Sequence, residues 1–599
     1  MVGAWTNFAK TGNPNSGPED FWPSMSWTED RYLEIDTTIS MARLPKEYSR
    51  KVSFWETVLS PKPPIVKLGA CSAPWLMGGF LTTVQGACVT SFQGVPYAAP
   101  PTGSHRFLDP LPFPPWEGLR EATDLGARCP QEARPYDDPL EMVSEDCLFL
   151  NVYSPCDKTD APLPVMVWFH GGGNRRGSGG TYFYGPEYLL DNRIILVTIN
   201  YRLIPFGFTS MESSSMPGNQ GPKDQVMALR WVSENIASFG GDPDLVTIFG
   251  ESAGSVDVLS QLVSPLSAGL FSGVIAQSGS PTPLVPNIHQ RDGDMRKTIL
   301  DLAEVLHCSN QDDQLILECL QALDTETIYE AAMALSDARW GQIKDADFST
   351  NPFLPLWPET AMRTGNINKA SVVIGFNKDE GIYQMPQYIL DPEALPNLNN
   401  NWVTLGPQQI FGHCCDFTEE EEAVAASVRE FYFGEEDISL ATIQGLIDMF
   451  TDLKFWSPAH RAVSLLARLP DQAVYEYMFS HRGANSYSDL VGLHNYSLGV
   501  SHADELHYLF NPHTVYQFPA LEDDDFTVRD LMVEMWTSFA TSRNPSSSPH
   551  LGFEWTQFQS EEPKYLEINS SPSMQYSENF QQRIAFWDSL FPLELEAVK

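Results

Sequence analysis

The sequence predicts an α/β fold, in which a mostly parallel, twisted central sheet carries helices on both faces. Two near-continuous apolar runs, residues 165–169 and 194–199, are typical of strands that are buried on both faces. Helical periodicity over residues 225–236 separates the second run from a third, residues 245–249. Because strands alternate with helices, we expect parallel neighbours joined by crossover helices.

The third apolar run ends in the pentapeptide Gly-Glu-Ser-Ala-Gly, residues 250–254. Flanking glycines favour a sharp strand-to-helix turn that pushes the Ser252 hydroxyl outward. Such a turn leaves the N–H of Ala253 at the start of a helix, where it could stabilise an oxyanion. The alternative is a glycine-flanked serine in an ordinary loop, since a five-residue match also arises by chance.

A second glycine-rich segment, His-Gly-Gly-Gly at residues 170–173, follows the first apolar run directly. Consecutive glycines let backbone N–H groups approach a ligand closely, as an oxyanion hole requires. No Lys-Ser or Lys-Thr follows, which excludes a phosphate-binding loop of the Walker A type. Together with the serine turn, this segment indicates an α/β-hydrolase fold.

Composition excludes several classes of function. The chain has 599 residues and a net charge of −40, which argues against binding nucleic acid or an anionic membrane. It lacks an apolar run of 18 residues, so no membrane span is expected, and its first residues do not resemble a signal peptide. The nine cysteines form no cluster with zinc spacing. No metal or organic cofactor is implied.

The two ends of the chain resemble each other. Residues 1–9 are echoed by residues 532–540, and Tyr-Leu-Glu-Ile recurs at 32–35 and 565–568. We interpret residues 1–64 as a partial duplicate of the C-terminal segment plus a proline-rich linker, and residues 65–599 as the main domain. Fusion to the tail of an adjacent paralogue would also explain the missing signal peptide. A functional N-terminal dimerisation helix is the alternative.

Several long motifs carry a family resemblance. They are the segment Gly-Val-Pro-Tyr-Ala-Ala-Pro-Pro at 94–101, Ser-Glu-Asp-Cys-Leu-Phe-Leu-Asn-Val-Tyr at 144–153, the glycine run at 170–173 and residues 239–254. From about residue 65 to 592 the chain resembles the type-B carboxylesterase/cholinesterase family. This resemblance implies a serine hydrolase whose partner is a small-molecule carboxylic ester. It also implies a secreted or ER-luminal protein, and leaves the oligomeric state open.

The resemblance further implies a catalytic triad, because a serine hydroxyl needs a base that a carboxylate holds in the right tautomer. In this fold the chain order is serine, acid, histidine. Ser252 would be the nucleophile, Glu380 in Asp-Glu-Gly the acid, and His502 in the loop 499–506 the base. By family alignment the oxyanion donors are the N–H groups of Gly172, Gly173 and Ala253.

Neighbouring residues leave alternatives for two of these roles. Asp379 precedes Glu380 and could be the acid instead, and His494 and His507 are rivals of His502. We expect His170 to shape the glycine loop rather than transfer protons.

Departures from the family pattern bear on the substrate. Residues 130–146 contain no tryptophan, so the main cation–π platform for a quaternary ammonium is missing. Val285 replaces the expected acyl-pocket aromatic, although Tyr383 keeps one aromatic side chain in the pocket. Asn174 replaces the apolar residue that usually follows the glycines. These changes predict a carboxylesterase for apolar esters rather than for choline esters.

Because some members of the family that this chain resembles are adhesion proteins with an inactive site, the second hypothesis is a catalytically weak or inactive adhesion or binding protein. Further departures from the family pattern would reduce activity. Arg175 and Arg176 follow Asn174, Pro222 interrupts a glycine-rich segment, and Ser255 replaces a common glycine. Inactive relatives usually lack a triad member, whereas all three candidates persist here.

The resemblance also implies two disulfides, Cys129 with Cys147 and Cys308 with Cys319, and a structural ion pair between Arg106 and Glu145. Five cysteines stay unassigned: Cys71, Cys88, Cys156, Cys414 and Cys415. Two sequons permit N-glycosylation, at Asn495 and Asn569.

Overall fold

The structure is a computed structural model. It describes residues 31–35, 39–43, 63–68, 74–134, 141–157, 161–285, 294–335, 338, 340–412, 417–511, 522–576 and 581–593. The chain divides into two compact units, Met1–Pro63 and Pro64–Lys599. Cys71, Cys414 and Cys415 lie outside the described residues.

The strands are β1 Arg31–Ile35, β2 Ile39–Arg43, β3 Ile65–Lys67, β4 Trp75–Met77, β5 Gly79–Thr82, β6 Cys88–Pro96, β7 Leu119–Glu121, β8 Phe149–Pro155, β9 Leu163–Phe169, β10 Ile195–Ile199, β11 Gly241–Glu251, β12 Gly273–Gln277, β13 Ser371–Asn377, β14 Val474–Phe479, β15 Lys564–Ile568 and β16 Ser573–Tyr576.

The α-helices are α1 Ile204–Phe208, α2 Gln220–Asn235, α3 Ala253–Val263, α4 Asp294–Val305, α5 Asp313–Ala322, α6 Thr325–Ala334, α7 Pro358–Thr364, α8 Pro386–Ile389, α9 Ala394–Asn400, α10 Trp402–Phe411, α11 Glu419–Phe433, α12 Ile443–Thr451, α13 Ser457–Leu466, α14 Asp523–Ser542 and α15 Gln581–Leu590.

An 11-stranded sheet forms the centre of the second unit, in the order β16-β15-β14-β13-β12-β11-β9-β10-β8-β6-β5. The strands from β15 to β10 in this order are parallel to one another. The outer strands are antiparallel, with β16 paired to β15 at one edge and β8, β6 and β5 following β10 at the other. The predicted α/β-hydrolase architecture, a mostly parallel sheet covered by helices, is confirmed. A separate three-stranded sheet joins β3, β4 and β7.

The apolar runs are explained by burial on both faces of the sheet. Along β9, Val165 and Val167 pack into one hydrophobic core, whereas Met166 and Trp168 pack into the core on the opposite face. The ring centroids of Trp168 and Phe249, which lies on β11, are 4.8 Å apart. Because both faces of the sheet are covered, apolar residues do not alternate with polar ones along these strands.

Pro222 does not interrupt a helix. It is the third residue of α2, where backbone N–H groups have no acceptor within the helix, so the missing donor costs no hydrogen bond. The Pro222 carbonyl accepts a hydrogen bond from the side chain of Gln261 on α3, at 3.1 Å. This residue therefore contributes to the contact between α2 and α3.

Three disulfides join cysteines that the structure describes in the second unit. Two of them join Cys129 to Cys147 and Cys308 to Cys319. The third joins Cys88 to Cys156, which sequence reasoning left unassigned. Cys88 begins β6 and Cys156 follows β8, and the two strands pair antiparallel with Val89 opposite Pro155. This register brings the two Cα atoms to 5.4 Å.

Arg106 and Glu145 form a buried bidentate ion pair, with N···O distances of 2.7 and 2.6 Å. The Arg106 guanidinium also donates to the carbonyl groups of Leu320, Gln321 and Leu323 at the end of α5. These contacts connect the segment before β8 to a helix far along the chain, which fits the expected structural role.

In the first unit, the backbone of β1 and β2 forms an antiparallel hairpin. Arg31 lies opposite Arg43, and Lys564, the sequence equivalent of Arg31, lies opposite Tyr576, the equivalent of Arg43. The hairpins β1–β2 and β15–β16 therefore share one register.

Candidate active site

Ser252 occupies a strained turn between β11 and α3. Its φ and ψ are 57° and −121°, a backbone conformation that residues other than glycine rarely adopt. Glycine is required beside it, because a Cβ on Gly254 would lie 2.1 Å from the Phe169 carbonyl oxygen. The Ser252 N–H donates to the Gln277 carbonyl on β12, at 2.8 Å, which fixes the turn at the carboxyl end of the sheet.

The glycine loop after β9 packs directly on this turn. A Cβ on Gly171 would lie 2.6 Å from the Glu251 carbonyl oxygen and 3.0 Å from the Ser252 Cβ. Gly172 and Gly173 have positive φ values of 108° and 66°. No described backbone carbonyl accepts from the N–H of either residue. The described backbone therefore leaves both N–H groups unused, and the N-terminus of α3 begins directly after Ser252.

The structure brings His502 between Ser252 and Glu380. Its Nε2 lies 2.9 Å from the Ser252 Oγ, and its Nδ1 lies 2.6 Å from a Glu380 carboxylate oxygen. Glu380 is fully buried, and its other oxygen accepts the N–H of Asn377 at 2.7 Å. In the neutral imidazole, the contact with Glu380 favours a proton on Nδ1, and Nε2 is then the hydrogen-bond acceptor that faces the Ser252 hydroxyl.

The residues that were alternative candidates for the acid and the base make other contacts or are exposed. Asp379 accepts the N–H of Val500 at 3.0 Å and a hydrogen bond from Gln444 at 3.1 Å, so its carboxylate holds the histidine loop rather than the imidazole. His507 stacks on Tyr487 with ring centroids 4.7 Å apart, and burial lowers its pKa to about 3. His494 is exposed.

Sequence reasoning missed two buried carboxylates, Glu251 and Glu505, that belong to the charged network of this site. A Glu251 oxygen lies 3.0 Å from the His502 Nε2, and Glu505 accepts hydrogen bonds from Gln277 and Asn377 at 3.1 and 2.6 Å. Burial and the charges of Glu251 and Glu380 raise the pKa of Glu505 to about 8. Glu505 is therefore largely protonated at neutral pH.

His502 titrates above the usual histidine range. Burial acts to lower its pKa, but the neighbouring Glu251 and Glu380 carboxylates outweigh burial and hold the pKa well above its ordinary value.

Sequence position gives the nearest signal for the two additional carboxylates. Glu251 directly precedes the serine, and Glu505 follows the histidine by three residues.

His170 stabilises the glycine loop. Its ring stacks on Tyr201 at 4.3 Å between centroids, and its Nδ1 lies 2.9 Å from the Gly171 carbonyl oxygen. Burial lowers the pKa of His170 to about 4, so the ring is neutral. Its contacts match the expected structural role.

The three residues that were expected to line the substrate pocket make different contacts in the structure. Tyr383 packs against His502 and Phe455, at 5.4 Å from each between ring centroids. Val285 is buried in an apolar cluster that includes Ile382. Asn174 has a φ of 58° and donates through its side chain to the Trp340 carbonyl at 3.3 Å.

The remaining departures from the family pattern are accommodated by local contacts. Arg175 donates to Glu132 at 3.0 Å, and Arg176 lies 3.7 Å from the same carboxylate, which offsets part of their charge. Ser255 is buried and donates to the Gly279 carbonyl at 2.7 Å. The hydrogen-bonding capacity of the Ser255 hydroxyl is therefore satisfied as a donor.

Neither a membrane helix nor a metal cluster is found in the described part of the chain. No described helix combines the length and apolar character that crossing a bilayer requires. Likewise, within the described ranges no three His, Cys, Asp or Glu side chains are grouped as metal ligands.

Known proteins are similar to this chain along most of its length. Residues 76–587 match the family model described as the carboxylesterase family. A juvenile hormone esterase of Tribolium castaneum is 34% identical over 83% of this chain and 89% of its own length. A cholinesterase of Mus musculus is 32% identical over 86% of both chains.

A solved structure has the same architecture. The crystal structure of juvenile hormone esterase from Manduca sexta, with OTFP covalently attached, is 26% identical and superposes with a TM-score of 0.78. The match covers 88% of this chain and 100% of that chain. The relatives are esterases, and none of these matches supports the alternative of an inactive adhesion protein. The predicted resemblance is thus confirmed: the chain belongs to the carboxylesterase family and is an ester hydrolase.

Proposed function

We propose that this carboxylesterase cleaves apolar carboxylic esters through an acyl-enzyme on Ser252, with His502 as general base and Glu380 as the orienting acid. One observation carries the proposal: the imidazole of His502 lies within hydrogen-bond distance of both the Ser252 hydroxyl and the Glu380 carboxylate. This is the geometry that an activated serine nucleophile needs.

In the first half of the reaction, the Ser252 Oγ attacks the ester carbonyl carbon while the His502 Nε2 takes its proton. The C–O bond to the alcohol then breaks, and the imidazolium returns the proton to the leaving oxygen. In the second half, a water molecule gives a proton to Nε2 and attacks the acyl carbon. Collapse of this intermediate releases the carboxylic acid, and the proton returns to the Ser252 Oγ.

The N–H groups of Gly172, Gly173 and Ala253 are our candidates for binding the oxyanion in both halves. Gly172 and Gly173 have no described backbone acceptor, and Ala253 begins α3. Loss of one such donor typically costs roughly 10²- to 10³-fold in rate, because negative charge develops on the carbonyl oxygen only during the reaction.

We expect Ser252→Ala to lower kcat for a short-chain aryl ester by roughly 10⁵- to 10⁶-fold, since no other hydroxyl replaces the nucleophile. The measurement is steady-state turnover of the purified variant. Ser255→Ala is a matched control, because it removes a buried hydroxyl three residues away that bonds only to the Gly279 carbonyl. Wild-type turnover by Ser252→Ala would disprove the mechanism.

Apolar acyl and alcohol groups fit the residues around this site better than a choline group. Val285 lies in an apolar cluster, and the aromatic rings of Tyr383 and Phe455 flank His502. Relatives include juvenile hormone esterases from two insects. A choline ester would find no tryptophan within residues 130–146 for its ammonium group.

The pH dependence of kcat/KM tests the electrostatic environment of His502. The general base works only when neutral, so activity is lost as pH falls through the His502 pKa. Glu251→Gln removes a negative charge 3.0 Å from Nε2 and therefore lowers that pKa. We expect the acidic limb of the profile to move to lower pH.

Glu505→Gln is the control for this prediction. Glu505 has a pKa of about 8, so it is already largely neutral near pH 7 and its replacement should move the acidic limb less. A limb that stays in place or moves to higher pH in Glu251→Gln would contradict the assigned role of the Glu251 charge.

A secreted or ER-luminal location fits the three disulfides, which persist in oxidising compartments. The sequon asparagine Asn495 is exposed and open to glycosylation, whereas Asn569 is half-buried and donates to Ser480. A mobility shift on deglycosylation of the secreted protein, abolished by Asn495→Gln, would support this location.

The terminal duplication is best explained, we infer, by fusion of a paralogue's C-terminal segment to residues 65–599. The shared register of the hairpins β1–β2 and β15–β16 supports this origin. A chain without residues 1–60 should keep its ester turnover, whereas loss of folding or activity on truncation would favour a functional N-terminal element.

A further inference from the structure

One cavity in the described part of the chain shares no lining residue with the segments that form the candidate active site. It has a volume of about 380 Å³ and is bounded by α13, by α15 and by the segment that contains Phe558. None of its lining residues belongs to the serine turn, the glycine loop or the histidine loop. Its size falls in the range of small-molecule sites.

Cationic side chains line one side of this cavity, although the chain as a whole has a net charge of −40. His460, Arg461 and Arg468 contribute the positive groups, and Asp588 is the acidic residue of the lining. The Glu476 carboxylate, 3.0 Å from the His460 ring, raises the pKa of His460 against the effect of burial. Cationic side chains therefore outnumber acidic ones in the lining of this cavity, in a chain that is acidic overall.

Two buried donors in the cavity wall lack partners. The side chain of Arg461 is 7% exposed, and its Nη2 donates to the Phe591 carbonyl, but its Nε has no hydrogen-bond partner. The hydroxyl of Ser457 is also buried and has none. An unsatisfied buried donor is unfavourable, so an acceptor bound beside these two groups would be stabilised by them.

The apolar lining residues and Asp588 limit the chemical class of an acceptor that could bind in this cavity. Phe558, Ile584 and Leu593 provide apolar surface, which a bare inorganic anion would not use. The Asp588 carboxylate lies 3.7 Å from an Arg461 nitrogen, so a dianion would meet repulsion at this position. A carboxylate monoanion with a short apolar chain satisfies both conditions.

We propose that this cavity is a binding site for a small organic carboxylate, whose charged oxygens accept hydrogen bonds from Arg461 and Ser457 while its apolar chain lies against Phe558 and Ile584. Carboxylates are also the class of molecule that ester hydrolysis releases. The site uses no residue of the proposed triad, so its test does not depend on the reaction mechanism.

Calorimetric titration of the full chain with octanoate tests the proposal. We expect saturable binding that weakens roughly 10- to 100-fold in Arg461→Gln, which loses a charge-assisted hydrogen bond, and several-fold in Arg468→Gln. Arg230→Gln, at an exposed arginine outside the cavity, is the matched control and should bind as the wild type does. Octanol should bind at least tenfold more weakly than octanoate, and inorganic phosphate should not compete.

Several results would overturn the proposal. They are the absence of saturable octanoate binding, equal affinity for octanol, or affinity that is unchanged in both cavity variants. If Arg461→Gln fails to fold, Ser457→Ala and Arg468→Gln decide, because Ser457 makes no other hydrogen bond through its hydroxyl and Arg468 is exposed. Unchanged affinity in those two variants would contradict the site.

Discussion

His502→Ala should lower kcat/KM for a neutral aryl ester by roughly 10⁴- to 10⁶-fold, because it removes the proposed general base. The His502 Nε2 is the base nitrogen 2.9 Å from the Ser252 Oγ, and the imidazole also transmits the orienting contact of Glu380. Residual activity would come from the oxyanion donors and substrate binding alone. The measurement is the initial rate at a substrate concentration well below KM, with folding checked by circular dichroism.

His494→Ala is the matched control, since His494 is an exposed histidine eight residues earlier and was a rival on sequence grounds. Its kcat/KM should stay within about a factor of two of wild type. A large loss in His494→Ala together with a small loss in His502→Ala would contradict the assignment of the base.

Glu380→Gln is expected to lower kcat by about 10⁴-fold without preventing folding. The amide keeps the size of the side chain, but it no longer holds a proton on Nδ1 of His502 or stabilises the imidazolium. The carboxylate is fully buried and lies 2.6 Å from Nδ1, so water cannot replace its effect. Single-turnover kinetics with an aryl ester would locate the loss in the acylation step.

Asp379→Asn distinguishes the two adjacent carboxylates. Asp379 holds the histidine loop through the N–H of Val500, and asparagine retains an acceptor oxygen for that bond. Its kcat should therefore fall far less than that of Glu380→Gln. If Asp379→Asn caused the greater loss while the protein remained folded, the acid would have been assigned to the wrong residue.

Sequence reasoning succeeded where the signal is local. The serine turn and the glycine loop are short motifs whose backbone demands can be read from glycines, and the apolar runs around them predicted the parallel strands. The serine turn and the glycine loop lie side by side because each follows the carboxyl end of a strand, and these strands, β11 and β9, are adjacent and parallel. The family resemblance supplied the remote candidates Glu380 and His502.

Contacts between distant segments were beyond the reach of sequence patterns. The Cys88–Cys156 disulfide depends on the register between β6 and β8, which spacing along the chain does not reveal. Glu505 accepts hydrogen bonds from Gln277 and Asn377, which come from two other parts of the chain. Such groups become visible only when the sheet brings its strand ends together.

Covalent labelling with an organophosphate, followed by peptide mass spectrometry, tests the central claim most directly. We predict one adduct per chain, on the peptide that contains Ser252, with loss of ester turnover in proportion to labelling. Labelling should be slowed by substrate and absent in Ser252→Ala. An unlabelled Ser252 in the active, inhibitor-sensitive enzyme, or an adduct on another residue that tracks the loss of activity, would contradict it.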